Sequence, residues 1–131
     1  MNVPELRVGV DMVDIRDLAK MLETSETTFL GSCWTECEQT YCAGSVPRLA
    51  ARWAAKEAVM KAIGHGIGQI DPLDIEVRAT EGDAPTVHLR ASAAAHAAEA
   101  GINSFALSLT HETDFAIAFV VARGPGAHPE G

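Results

Sequence analysis

An alanine-rich segment from Arg48 to Ile63 carries the strongest helical signal in this sequence. Ser45 can cap its start, Pro47 suits a first helical turn, and Gly64 can end it in a left-handed conformation. Apolar side chains recur along one stripe of the segment at about 100° per residue, which is typical of a helix with one face in the core. We therefore predict one long helix here, and the rest of the chain must pack around it.

Shorter patterns on either side of this helix predict strands and smaller helices. An alternating run at 6–13 indicates a buried strand, and Thr35 and Glu38 have the spacing of a capping box. Strands are expected at 6–13, 74–78, 86–90, 104–110 and 115–122, and further helices at 14–23, 35–42 and 92–100. This pattern predicts an α+β fold, with an antiparallel sheet of about five strands packed against the long helix and smaller helices.

Length and composition indicate one globular domain. The chain has 131 residues, of which 47% are hydrophobic and 21% are charged. We place the domain at 1–123 and expect a flexible tail at 124–131, where glycine and proline are frequent. No apolar run approaches the ~20 residues that span a bilayer, and the amino terminus lacks the pattern of a signal peptide. We therefore expect a cytoplasmic protein without a membrane segment.

The charge pattern favours a small anionic ligand over a nucleic acid. The formal net charge is -8, whereas proteins that bind nucleic acids neutralise phosphates with many clustered lysines and arginines. Four of the ten basic residues nevertheless lie within the long helical segment, at Arg48, Arg52, Lys56 and Lys61. Positive potential concentrated in an acidic protein suits a local anionic ligand.

Asp11 and Glu57 are the acidic residues most suggestive of chemistry. Asp11 lies in the middle of a predicted strand, where an ionised carboxylate needs a compensating partner. That partner could be backbone amides or an arginine, or Asp11 could be a ligand for a hard cation such as Mg²⁺, which usually binds one or two carboxylates together with substrate phosphates. Glu57 is the candidate second ligand, although Glu57 and Lys61, four residues apart on a helix, could equally form an ordinary surface ion pair.

A glycine-rich loop and a histidine complete the candidate site. Gly64, Gly66 and Gly68 alternate directly after the helix, and such a loop lets backbone amides approach a phosphate closely. His111 follows a predicted strand, where it could contact a phosphate or simply be solvated. The other histidines, at 65, 88, 96 and 128, show no comparable sequence context, and we assign them no role.

Three segments together resemble the holo-acyl-carrier-protein synthases, which are small 4'-phosphopantetheinyl transferases. The segments are VGVDMV at 8–13, RWAAKEAVMKAIG at 52–64 and SLTH at 108–111, and the middle one is the most specific. The resemblance covers nearly the whole chain in order and spacing. It implies the fold of that family and a typical homotrimer with active sites between subunits.

The resemblance also implies an activity. It is the Mg²⁺-dependent transfer of the 4'-phosphopantetheine arm from coenzyme A to a serine of an apo acyl carrier protein, releasing 3',5'-ADP, in fatty-acid or polyketide biosynthesis. Asp11 and Glu57 match the metal-binding carboxylates of the family. Together with Lys61, they match its catalytic residues. Positions implied to bind coenzyme A are Arg52, Lys61, Gly64, Gly66 and His111.

Two questions stay open at the level of sequence. The carrier serine could lose its proton to Glu57, or to a water polarised by Asp11 or by the metal ion. Many family members have a basic residue six positions after the metal-binding aspartate, whereas this chain has Asp17 there and Arg16 just before it. We expect this departure to alter carrier preference.

The alternative function is a non-catalytic module that binds coenzyme A or a nucleotide diphosphate and serves assembly or regulation.

Overall fold

The computed structural model describes residues 5–79, 82 and 84–126, with the side chains of residues 26 and 27 excepted. The helices are α1 (Ile15–Cys33), α2 (Glu36–Cys42), α3 (Val46–Ile63) and α4 (Ala91–Glu99), with a short 3₁₀ turn at Pro72–Asp74. The strands are β1 (Glu5–Asp14), β2 (Ile75–Arg78), β3 (Thr86–Leu89), β4 (Ser104–His111) and β5 (Phe115–Gly124). Most predicted elements are therefore present in the expected order.

The strands of the described residues form two separate antiparallel sheets. β1, β5 and β4 lie side by side in that order and pack against α3, whereas β2 and β3 form a hairpin of their own. The α+β class is confirmed, but the sheet against α3 has three strands where about five were expected. The reason is that β2 and β3 pair only with each other, and α4 intervenes in the chain before β4.

The ends of the helices follow the predicted capping chemistry. Ser45 Oγ accepts a hydrogen bond from the Arg48 amide at 3.4 Å, and Gly64 ends α3 with a φ of 95°. Thr35 and Glu38 form the predicted capping box at the start of α2. These local signals therefore fix where α2 and α3 begin.

Helix α1 is longer than predicted. It begins at its expected cap, Asp14, but it continues through the threonine-rich stretch to Cys33 instead of ending near residue 23. Phe29 in its last part packs edge-on against Trp53 of α3, with ring centroids 6.0 Å apart. This tertiary contact outweighs the weak helix propensity of the polar residues between.

β1 and α3 meet at a glycine. A Cβ atom at Gly9 would lie only 1.9 Å from the Ala58 carbonyl oxygen, so only glycine lets the two backbones approach this closely. Side chains alternate along a strand, so Asp11 points to the same side of β1 as Gly9. The close contact therefore directs Asp11 towards α3.

The opposite face of β1 is apolar but exposed, which corrects the expectation of a buried strand. Val8 is 62% exposed, and Phe119 on the neighbouring strand β5 is 45% exposed. The exposed apolar side chains of this face are Leu6, Val8, Val10 and Met12 on β1 and Ile117 and Phe119 on β5. We call this set the outer sheet face.

A buried ion pair joins α2, α3 and the β2–β3 hairpin. Lys56 Nζ lies 2.8 Å from Glu38 Oε1, and both side chains are fully buried. Lys56 also donates to the Pro72 and Ile75 carbonyl oxygens, and the other Glu38 oxygen accepts from the Val77 amide. Burial lowers the pKa of Lys56, an effect that the charge of Glu38 opposes. Breaking such a pair costs about 3–5 kcal/mol, because it leaves one buried charge uncompensated.

This pair corrects the predicted cluster of positive charge on α3. Lys56 neutralises Glu38 inside the protein and cannot reach a ligand in solvent. Arg52 is also buried. The positive potential at the surface is therefore smaller than the sequence suggested.

The carboxyl end of the described chain lies within the fold. Gly124, where the tail was expected to begin, is the last residue of β5 and pairs with Glu5. Residues 127–131 of the expected tail lie outside the described residues. In the part of the chain that the structure describes, the helices are too short or too polar to cross a bilayer.

Candidate active site

Asp11 and Lys61 form the centre of the candidate site. Lys61 Nζ lies 3.0 Å from Asp11 Oδ1 and donates a hydrogen bond of 2.9 Å to the Val10 carbonyl oxygen. The Asp11 side chain is 18% exposed and that of Lys61 is 55% exposed. The negative charge of Asp11 is thus compensated by a lysine from α3, and the ion pair is partly exposed to solvent.

Glu57 lies one helical turn before Lys61 and is half-buried. Its pKa is raised, first by burial and then by the negative charge of Asp11, while Lys61 acts in the opposite direction. Glu57 therefore lies within the electrostatic field of the Asp11–Lys61 pair. The structure brings together the three residues that the sequence assigned to catalysis.

A cavity of about 240 Å³ opens beside these residues. Its lining is formed by Glu57, Met60, Lys61, Gly64, His65 and Gly66. The amides of Gly64 and His65 both donate to the Met60 carbonyl oxygen, at 2.8 Å and 3.2 Å. Among the described residues, no acceptor receives the amide of Gly66, which is one of the lining residues.

Two predicted coenzyme A contacts lie elsewhere in the chain. His111 ends β4 and is opposite Ala116, and β5 therefore separates it from β1. Arg52 stacks over the Tyr41 ring with its guanidinium carbon 4.6 Å from the ring centroid, and its buried Nε has no hydrogen-bond partner. One chain thus brings Gly64 and Gly66 to the Asp11–Glu57–Lys61 group, but it brings neither Arg52 nor His111 there.

The carboxylates suit a metal ion that is shared with a substrate. The described residues (5–79, 82 and 84–126) contain no group of three or more His, Cys, Asp or Glu side chains that could hold a metal ion on its own. Mg²⁺ commonly binds one or two carboxylates and takes its other ligands from water and substrate phosphates. Asp11 and Glu57, whose charges repel each other, fit this kind of site.

The contact between His65 and His96 was missed by sequence reasoning. The two rings have centroids 4.1 Å apart and are tilted by 33°. The residues are far apart in the sequence and belong to a loop and to α4, so no spacing or periodicity could have indicated that they meet.

Comparisons with known proteins show the family of the chain. A model of the 4'-phosphopantetheinyl transferase superfamily matches residues 7–120. The chain is 39% identical over 122 residues to a holo-[acyl-carrier-protein] synthase of Gloeobacter violaceus, covering 90% of this chain and 92% of that protein. It is 38% identical over 117 residues to the Halothermothrix orenii holo-[acyl-carrier-protein] synthase, covering 87% of this chain and 94% of that protein.

A solved structure extends the similarity to the fold. Helicobacter pylori holo-[acyl-carrier-protein] synthase in complex with coenzyme A matches with a TM-score of 0.79 and 29% identity. The match covers 88% of this chain and 98% of that one.

The raised pKa of Glu57 predicts a pH-dependent gain in stability for Glu57→Gln. Ionised Glu57 destabilises the folded state, and this cost is absent at pH values below the unfolded pKa of about 4.3, where Glu57 is protonated in both states. Glu57→Gln should therefore raise the free energy of unfolding at neutral pH, and the gain should vanish in acid. Urea unfolding over a pH series measures this difference.

Glu112→Gln is the matched control, since Glu112 is exposed and its replacement should change stability little at any pH. A Glu57→Gln variant that is no more stable than the original protein at neutral pH would contradict the electrostatic description of the site.

Proposed function

Because the chain belongs to the 4'-phosphopantetheinyl transferase superfamily, we propose that it transfers the 4'-phosphopantetheine arm of coenzyme A to a serine of an apo acyl carrier protein. The transfer is Mg²⁺-dependent, takes place in the cytoplasm and serves fatty-acid or polyketide biosynthesis. The enzyme is a holo-acyl-carrier-protein synthase. The observation that supports the proposal best is the convergence of Asp11 and Glu57 beside Lys61.

The reaction exchanges one phosphorus–oxygen bond for another. The serine Oγ of the carrier attacks the phosphorus that bears the pantetheine arm, and the bond from this phosphorus to the bridging oxygen breaks. The bridging oxygen keeps the electron pair and leaves as part of 3',5'-ADP. Glu57, or a water held by Asp11, accepts the serine proton.

Lys61 is placed to neutralise the diphosphate. Its ammonium group is anchored on β1 by the Val10 carbonyl oxygen and is half-exposed at the cavity. A cation in this position attracts the donor and stabilises negative charge on the leaving group. The free amide of Gly66 offers a further hydrogen bond to a phosphate oxygen.

Asp11 and Glu57 are the residues that would hold the Mg²⁺ ion. When bound, this ion neutralises charge on the diphosphate. Both carboxylates border the same site as Lys61, so ion and lysine act on one substrate group.

Carrier docking depends on a small number of positive charges. Arg16 at the start of α1 is exposed, and its Nε lies 3.7 Å from an oxygen of Asp114. Asp17 is its neighbour in the first turn of α1. We infer that this surface attracts an acidic carrier through Arg16 and Lys20, and less strongly than a surface with a base at position 17.

The homotrimer is also part of the proposal. The outer sheet face exposes apolar side chains from two adjacent strands, and a contiguous apolar surface of this kind marks an interface. Within one chain, Arg52 and His111 lie away from the Asp11–Glu57–Lys61 group. Association of copies through the outer sheet face can bring such residues to the site of a neighbour.

Introducing charge on the outer sheet face should dissociate the trimer. Sedimentation or light scattering should give a mass of about three chains for the original protein and of one chain for Val8→Asp/Phe119→Asp, because each buried aspartate would lose its hydration. Met21→Asp removes an equally exposed apolar side chain from α1 and should leave the trimer intact. An original protein that sediments as a monomer would refute the proposed assembly.

Mass spectrometry tests the transfer itself. A panel of apo carriers is incubated with the protein, coenzyme A and MgCl₂, and a modified carrier gains about 340 Da, as estimated from the atoms of the covalently attached arm. A carrier whose acceptor serine is replaced by alanine should stay unmodified. Glu57→Gln should slow the transfer at least about 100-fold, the usual effect of losing a positioned acid–base group.

If no carrier gains mass while coenzyme A binds, the non-catalytic binding module becomes the better description. A fully active Glu57→Gln variant would remove Glu57 from the mechanism.

A further inference from the structure

His65 links the rim of the candidate active site to α4. It follows the last residue of the α3 cap, Gly64, and lines the cavity together with Glu57 and Lys61. Its ring lies 4.1 Å from the ring of His96, centroid to centroid, with a tilt of 33°. The two rings are therefore in direct contact, at a separation slightly shorter than the roughly 4.5–7 Å of typical aromatic pairs and at an angle between stacked and edge-to-face.

The loop that contains His65 is held at its two ends by backbone hydrogen bonds, from the Gly64 and His65 amides to the Met60 carbonyl oxygen and from the Gln69 and Ile70 amides to the Gly66 carbonyl oxygen. Gly64 and Gly66 flank the histidine, and a Cβ at Gly66 would meet nothing within 4 Å. Glycine on both sides of His65 adds no side-chain restraint to these hydrogen bonds, so the backbone between them keeps more conformational freedom than other residue types would allow. A side-chain contact at position 65 removes part of this freedom in advance.

α4 offers a firm support for the contact. Ala93 and Ala97 on this helix are buried in the core, so the helix is fixed against the rest of the protein. His96 lies on α4 next to Ala97, and its Nδ1 is buried without a hydrogen-bond partner, with the nearest Glu99 oxygen 4.0 Å away. The His96 ring therefore contacts His65 through its aromatic face, and its Nδ1 makes no hydrogen bond.

We propose that His65, stacked on His96, is a positioning residue that holds the Gly64–Gly66 backbone in place at the cavity where the donor diphosphate binds. This inference rests on the proposed function and deepens it. His65 acts through the loop, and the amide of Gly66 makes the contact with the phosphate. The support from His96 increases affinity for coenzyme A, because the loop is ordered before the donor arrives.

Substitutions at His96 test this role without touching the cavity, since His96 is not among the residues that line it. His96→Ala removes the stacking partner and should raise the KM for coenzyme A, and its dissociation constant by calorimetry, about two- to tenfold, the factor that corresponds to one aromatic contact. The kcat at saturating donor should change by less than about twofold, because the reacting groups stay in place.

His96→Phe is the informative companion variant. Phenylalanine keeps an aromatic face on a slightly larger ring and lacks the ring nitrogens, of which Nδ1 has no partner. Its KM for coenzyme A should therefore match that of the original protein. His88→Ala, a histidine on β3 that contacts Thr86 and not the cavity, is the matched control and should also leave the KM unchanged.

A double-variant comparison separates positioning from damage to the fold. If the two rings act only through each other, His65→Ala/His96→Ala should have the same KM as His65→Ala alone. The inference would be overturned if the KM for coenzyme A of His96→Ala equalled that of the unsubstituted protein. It would also be overturned if His96→Ala and His96→Phe raised this KM equally, or if the two substitutions had additive effects on KM in the double variant. An original protein that transfers no arm to any carrier would instead overturn the proposed function.

Discussion

The backbone contact between Gly9 and Ala58 is the constraint on which the candidate site depends. A strand and a helix normally pack through their side chains, but here a Cβ on the strand would overlap a helix carbonyl oxygen. The missing side chain brings β1 directly onto α3, and the next inward residue, Asp11, then faces Glu57 and Lys61. This arrangement brings two carboxylates and one lysine into one site, and the pKa of Glu57 is raised there, first by burial and then by the negative charge of Asp11.

The two lysines of α3 show how the same residue type serves stability and chemistry in one helix. Lys56 is sealed in the core with Glu38 and ties the β2–β3 hairpin to the helices. Lys61, five residues later, reaches solvent while it stays anchored to β1. Burial by α2 and the hairpin distinguishes the two lysines.

Local signals in the sequence were sufficient for the helix starts, for the end of α3 and for the Asp11–Glu57–Lys61 grouping, because caps, glycines and the resemblance act over short or well-marked segments. Tertiary contacts decided the rest. Packing of Phe29 on Trp53 of α3 extended α1 beyond its polar stretch, and the outer sheet face stayed exposed although its alternation resembles that of a core strand. Arg52 and the His65–His96 stack depend on partners from distant segments, which one sequence cannot reveal.

Binding of Mn²⁺, followed by electron paramagnetic resonance as a substitute for Mg²⁺, tests most directly whether Asp11 and Glu57 share one metal ion with the donor. In the presence of coenzyme A, the original protein should bind about one Mn²⁺ per chain, because the substrate phosphates complete a coordination sphere that two carboxylates leave open. Asp11→Asn and Glu57→Gln should each lose most of this binding. Unchanged Mn²⁺ binding in both variants would contradict the account.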